Sequence, residues 1–238
     1  PAGGNVVSIK EALAAQVAAN AGKTAPPTGS KIRCTQDKFF MLPNGQKTAG
    51  PIVACILDFG TTHDFYASQY DSKNPESPIC FAIGSDPRNM VPHATAPEPQ
   101  HDNCQSCPMN QFKSAANGKG KACKNGRNLA LLPADNSGQD VDHEAEIWTL
   151  DVSPTAIKAF DAYVGDLARQ FGSPPVAFLT EISFNPDVTF PQLMFSNPQP
   201  IGSIGEAMAR QAEAAEMLTV APDGGGCGAR QAARRAPA

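Results

Sequence analysis

Cys104 and Cys107 form a CxxC pair, and Cys123 follows after a gap of fifteen residues. Two thiolates at this spacing can grip one ion from a single tight turn, and a third thiolate brings the set close to a tetrahedral zinc knuckle. A redox role for the pair needs a thioredoxin-like βαβ setting, which the surrounding sequence lacks. A structural zinc takes four ligands. Cys80 is the preferred fourth because it belongs to an apolar run at the mouth of the same loop, with His101 and His93 as the alternatives.

The same segment is basic. Lys113, Lys119, Lys121, Lys124 and Arg127 lie in and just after the loop, and no acidic residue occurs from Asn103 to Ala134. Fixed cations without opposing carboxylates suit a polyanion, most simply nucleic acid. Gly118 and Gly120 would let backbone N–H groups approach phosphates. Phe112 could stack on a base. Phe39, Phe40, Phe65, Tyr66 and Tyr70 lie on segments that also carry Arg33, Lys38 and Lys73. Adjacent strand residues face opposite ways. One of Phe39 and Phe40, and one of Phe65 and Tyr66, is therefore expected in the core, and its neighbour becomes a stacking platform. The bland alternatives are a solvated lysine-rich loop and aromatics used only for packing.

Catalysis finds little support. A deaminase places H-x-E upstream of P-C-x-x-C, whereas Asn103 precedes Cys104 and no H-x-E lies upstream. His143-Glu144 lacks the second histidine of H-E-x-x-H. The acids Asp140 to Glu146 around His143 form no compact nuclease constellation. Zinc is therefore expected to be structural and the chain non-enzymatic.

These residues need a framework to hold them. Ser8 and Glu11 form a capping box for a helix along Ile9, Leu13 and Val17, followed by a Pro- and Gly-containing linker to residue 30. Strands are expected over Ile32–Leu42, Pro51–Phe59, Ile79–Ile83, Leu129–Leu132, Ile147–Val152, Val176–Phe184 and Phe190–Phe195, with Gly60-Thr61-Thr62 as a turn. Ser153-Pro154 opens a helix whose apolar face runs through Ile157, Phe160, Val164, Leu167 and Phe171 until Gly172. Ser203 and Glu206 form a second capping box. Residues 85 to 122 are largely irregular, a length that needs a staple. The expected organisation is residues 1–30 as helix and linker and 31–198 as an OB-like domain with a zinc-binding insertion at about 85–127. A helix over 199–220 and a disordered, arginine-containing tail over 221–238 complete it. The fold class is mainly β with flanking helices (α+β), an OB-like Greek-key barrel.

The chain of 238 residues is 41% hydrophobic and carries 20 glycines and 22 prolines, so it has a core and many turns. A net charge of −4 makes any nucleic-acid surface local. No apolar run is long enough to span a membrane, and the N-terminus reads as that of an intracellular protein without its initiator Met. Cys34 and Cys55 lie in apolar strands and read as small core hydrophobes. The acidic stretch Asp135 to Asp151 reads as a solvated linker, or as a shield for the basic loop.

The runs Ile79–Gly84, Cys104–Phe112, Gly118–Asn125, Leu150–Pro154 and Thr180–Ile182 resemble a family of bacteriophage and prophage single-stranded-DNA-binding replication proteins with an OB-like body and a zinc loop. The resemblance covers roughly residues 31 to 196. It implies zinc on Cys80, Cys104, Cys107 and Cys123. It departs at the tail, because many such binders end in acids whereas this chain carries Arg230, Arg234 and Arg235. The expected function is sequence-tolerant binding of single-stranded DNA or RNA in phage-type replication or recombination. Partners would be other replication or recombination proteins in the bacterial host cytoplasm. The rival reading is a zinc-stapled protein-interaction or scaffold module of a phage assembly.

Overall fold

The computed structural model describes residues 30–68 and 76–219. The expected helix from Ser8, Tyr70, Lys73, Cys227 and the arginine-containing tail lie outside them.

One nine-stranded sheet organises the chain. Its strands are β1 (Lys31–Cys34), β2 (Phe40–Met41), β3 (Lys47–Thr48), β4 (Ile52–Phe65), β5 (Cys80–Gly84), β6 (Lys124–Pro133), β7 (Trp148–Val152), β8 (Phe178–Phe184) and β9 (Leu193–Pro200). The order is β3-β2-β1-β7-β6-β4-β8-β9, with β5 paired to β4 outside this path. All pairings are antiparallel except β1 with β7. The sheet curls into a half-barrel, and the protein is mixed α+β with strands dominant. No helix among the described residues is long and apolar enough to cross a membrane.

Alternation along β4 and β6 sends apolar side chains to both faces. On one face Ala54, Ile56, Leu129 and Leu131 pack with Phe160, Tyr163 and Leu167 of α1 (Ile157–Phe171). Gly172 closes α1 at φ 63°, with its N–H donating to Ala168 O at 3.1 Å, a left-handed C-terminal turn that favours glycine. On the opposite face Cys55, Leu57, Ala130 and Leu132 pack with Ala207 of α2 (Ile204–Ala209) and Ala214 of α3 (Gln211–Met217). Each large apolar side chain buried here contributes about 1.5–3 kcal/mol over an exposed one.

Several expectations change. Ile32–Leu42 is a hairpin, not one strand, because Thr35 N–H bonds Phe39 O at 2.9 Å and turns the chain. Gly60-Thr61-Thr62 is not a turn. It lies inside β4, where β6 on one side and β5 on the other pair its backbone, and that pairing outweighs local turn preference. β6 begins at Lys124, so Lys124 and Arg127 are strand residues rather than loop. Ser203 does not cap α2 with its hydroxyl; its Oγ donates to Asp140 Oδ2 at 3.0 Å. Asp140 thus latches the C-terminal helices, and Arg210 Nη1 donates to His143 O at 2.9 Å in the same docking. Asp151 pairs with Lys31 at 2.9 Å. Among the described residues, no ion pair joins the acidic stretch to the basic loop. Cys55 is a free buried thiol, as expected, but Cys34 is disulfide-bonded.

Candidate metal centre and nucleic-acid interface

The long β4 carries the site. Its last five residues pair with β5 as Phe65 opposite Cys80 and His63 opposite Ala82, so these four side chains share one face of the sheet. Onto that face folds the segment between β5 and β6. Its backbone is satisfied locally, which is how so long an irregular stretch stays ordered. His93 N–H bonds Phe81 O at 2.8 Å, Cys104 N–H bonds Met90 O at 3.0 Å, and Cys123 N–H bonds Met109 O at 2.8 Å. Asn110 Nδ2 donates to Cys104 O at 2.7 Å, and Gln111 Nε2 to Cys107 O at 3.2 Å.

The result brings Cys80, Cys104, Cys107 and Cys123 to the wall of one cavity of about 10 Å³, with His63, His101 and Asn110 also lining it. That is room for about one water-sized body. All four thiols are free and buried. Among the described residues no three donors stand in a ready-made ligating arrangement. Burial first, then the Cys80 and Cys107 sulfurs, pushes the Cys104 thiol up to about 11. Burial first, then Asp64 and the neighbouring cysteines, raises Cys123 further. A soft dication that displaces these protons would replace mutual repulsion with four bonds. The donor set therefore fits zinc. Of the alternative fourth ligands, His93 stacks on Phe81 at 5.1 Å and places Nδ1 2.9 Å from Thr95 Oγ1, whereas His101 lines the cavity as Cys80 does and accepts the Asn103 N–H on its Nδ1 at 3.2 Å.

His63 was not singled out by sequence. It is 4% exposed. Asn125 Nδ2 lies 2.6 Å from its Nε2, and its Nδ1 is buried without a partner. Burial first, then the Lys121 and Arg127 charges, lowers its pKa to about 4, so the ring is neutral. The available signal was the alternation Thr61, His63 inside a stretch that reads as a turn.

The nucleic-acid candidates separate into groups. Phe112 is 78% exposed. Beside it Lys113, at φ 72°, donates its N–H to Gly120 O at 2.6 Å, which draws Lys119 and Gly120 against Phe112 and Lys113. Lys113 and Lys119 are exposed. The expected open N–H groups at the glycines are partly used, since Gly118 N–H bonds Ala115 O at 2.7 Å and Lys119 N–H bonds Asn117 Oδ1 at 2.9 Å. Lys121 is half-buried and donates to Asn110 Oδ1 at 3.1 Å. Arg127 bonds Thr61 Oγ1 at 3.0 Å and Asp161 of α1 at 3.2 Å, so a phosphate would have to displace a carboxylate. Lys124 Nζ lies 5.4 Å from the centre of the Tyr66 ring. Tyr66 and Phe65 are both half-buried, so neither is the expected fully buried core partner. Phe40 is the core member of its pair, fully buried and stacked on Phe184 at 4.2 Å; Phe39 is half-buried under Lys47 Nζ at 4.0 Å. In the sheet β7 separates this hairpin from β6. Lys38 is spent on the turn after β8, donating to Asn185 O at 2.8 Å.

Asp64, opposite Lys124, has an Oδ1 sealed from water with no partner. Burial first and then Asp151 push its carboxyl up to about 7, against the opposing pull of Lys31 and Lys124. A carboxyl whose folded pKa is raised takes up a proton on folding, so its stabilising contribution is present at low pH and is lost as pH rises to about 7. Asp64→Asn is therefore expected to raise the melting temperature more at pH 8 than at pH 5, because the loss begins above the ordinary carboxyl value of 3.8 and is complete at about 7. The rise should be a few degrees, since each kcal/mol is worth about 2–4 °C at this size. Equal shifts at both pH values would show that the carboxyl is ionised throughout.

Comparison of the chain with protein-family models, curated proteins and solved structures gives no match.

Proposed function

We propose that this chain is a non-enzymatic, sequence-tolerant binder of single-stranded DNA that serves phage-type replication or recombination, acting inside the bacterial host on an OB-like body. The observation that carries this reading is Phe112. It is exposed on an acid-free loop next to Lys113, whose N–H ties the chain to Gly120 O beside Lys119. What supports the reading is the company of the ring: beside held cations it offers a base a stacking face and its phosphates a counter-charge. Phosphates and ring faces are common to all nucleotides, so such a site tolerates sequence.

Zinc on Cys80, Cys104, Cys107 and Cys123 would supply loop rigidity and folding energy rather than chemistry. Lys113, Lys119 and Phe112 form the primary contact, Tyr66 and Lys124 are candidates along β4 and β6, and Phe39 is a candidate on the separate β1–β2 hairpin. Lys121 and Arg127 are secondary because Asn110 and Asp161 already hold them.

A fluorescent oligo-dT titrated at two salt concentrations tests the reading. Binding that weakens with salt, and that exceeds binding to the matched duplex, is expected. An oligo-rU titration in parallel assigns DNA or RNA. Undetectable binding at low salt would favour an interaction module instead, a reading consistent with Met208 and Ile204 being 54% and 39% exposed on α2.

A further inference from the structure

We infer that His63 positions the zinc centre by donating a hydrogen bond from its Nδ1–H to a zinc-bound thiolate. This rests on the zinc reading above and extends it to a residue that is not itself a ligand. Register places His63 on the cysteine side of the sheet, opposite Ala82 on β5 and Asn125 on β6. The ring lines the cavity that the four thiols share.

Its tautomer follows from its neighbour. Asn125 Nδ2 sits 2.6 Å from Nε2. With the Asn125 amide oriented as it stands, Nδ2 offers a proton, Nε2 accepts and the single proton of the neutral ring lies on Nδ1. The flipped amide, whose Oδ1 is likewise buried without a partner, would put it on Nε2, and the ¹⁵N measurement below separates the two. That Nδ1 is buried and has no partner. A buried donor left unsatisfied is destabilising. Four thiolates on one dication supply the missing acceptor, because they leave two negative charges on largely buried sulfurs. Such charge is stabilised by donors aimed at sulfur. Lys121, whose charge reaches His63 and whose Nζ bonds Asn110 Oδ1 on the cavity wall at 3.1 Å, offsets the same excess from the loop side.

The test uses full-length protein loaded with zinc, and with Co²⁺ as a spectroscopic substitute. His63→Phe keeps a planar ring and removes the donor. In competition with a chromophoric chelator its zinc affinity is expected to fall roughly 10–100-fold, with one metal still bound. Its thiolate-to-Co²⁺ charge-transfer band should move to lower energy, since an undonated thiolate gives up electrons more easily. Unchanged affinity with an unchanged band would overturn the inference while leaving the zinc reading intact. If wild-type protein binds neither metal, the zinc reading itself fails. A second measurement needs no variant. In ¹⁵N-labelled, zinc-loaded wild type the His63 proton must reside on Nδ1. A proton on Nε2, or metal bound directly to the ring, overturns the assignment however the variant folds.

Discussion

Removing zinc with a strong chelator, or replacing Cys104 with serine, is expected to produce the largest loss of order of any single change to this protein. Purified wild type should contain about one zinc per chain by elemental analysis. The thiols of Cys80, Cys104, Cys107 and Cys123 converge on one cavity although they come from β5, the middle of the loop and the start of β6. Few apolar contacts support that convergence, because the buried cluster there contains only Ala82, Met90 and Cys104. Structural zinc in small peptides contributes about 10–16 kcal/mol of apparent binding energy, and a cluster this small cannot replace it. The two cores on either face of the sheet do not use these cysteines. Limited proteolysis should therefore cut metal-free protein within residues 85–123 first, while the body stays folded. Metal-free protein that melts and resists protease like the loaded form would refute the structural role.

The second large effect concerns the loop tip. Phe112→Ala is expected to weaken single-strand binding by about 1–3 kcal/mol at every salt concentration, because stacking releases no ions. Lys113→Ala with Lys119→Ala should instead flatten the plot of log affinity against log salt by about 1.4, two contacts at ~0.7 each. Arg127→Ala should change that slope least, since Asp161 already neutralises the guanidinium. Neither the Phe112 change nor the lysine pair should lower the melting temperature by more than a degree or two, as Phe112, Lys113 and Lys119 are exposed. A lysine pair that leaves the slope untouched would move the phosphate track away from this loop.

What could be read from sequence divides along physical lines. The cysteine spacing was legible because the covalent chain brings Cys104 and Cys107 together whatever the rest does. The helix at Ile157–Phe171 was legible because its apolar period and terminal Gly172 are local. Choosing between Phe39 and Phe40 needed only strand alternation once the ring of Phe184 was in place. Apart from the local turn between Thr35 and Phe39, the errors are long-range. Gly60-Thr61-Thr62 is strand because two partners distant in sequence demand it. Arg127 loses its freedom to a carboxylate on a helix thirty-four positions away. Ser203 turns from its own helix to Asp140, sixty-three positions back. His63 and Asn125 are sixty-two positions apart, and neither suggests the other.

The division of β4 has a further consequence. β6 runs beside it from Ala54 to Asp64, but its other edge is shared: β8 takes Ile52–Cys55 and β5 takes Thr61–Phe65. The second half can therefore lose a neighbour while the first keeps both. In native-state hydrogen exchange β5 and the end of β4 should form a separate unit, opening at lower free energy than β8 and the first half of β4. Zinc should slow exchange only in that unit. The sheet would then have two thresholds of opening on one continuous strand, and the metal would govern the lower one.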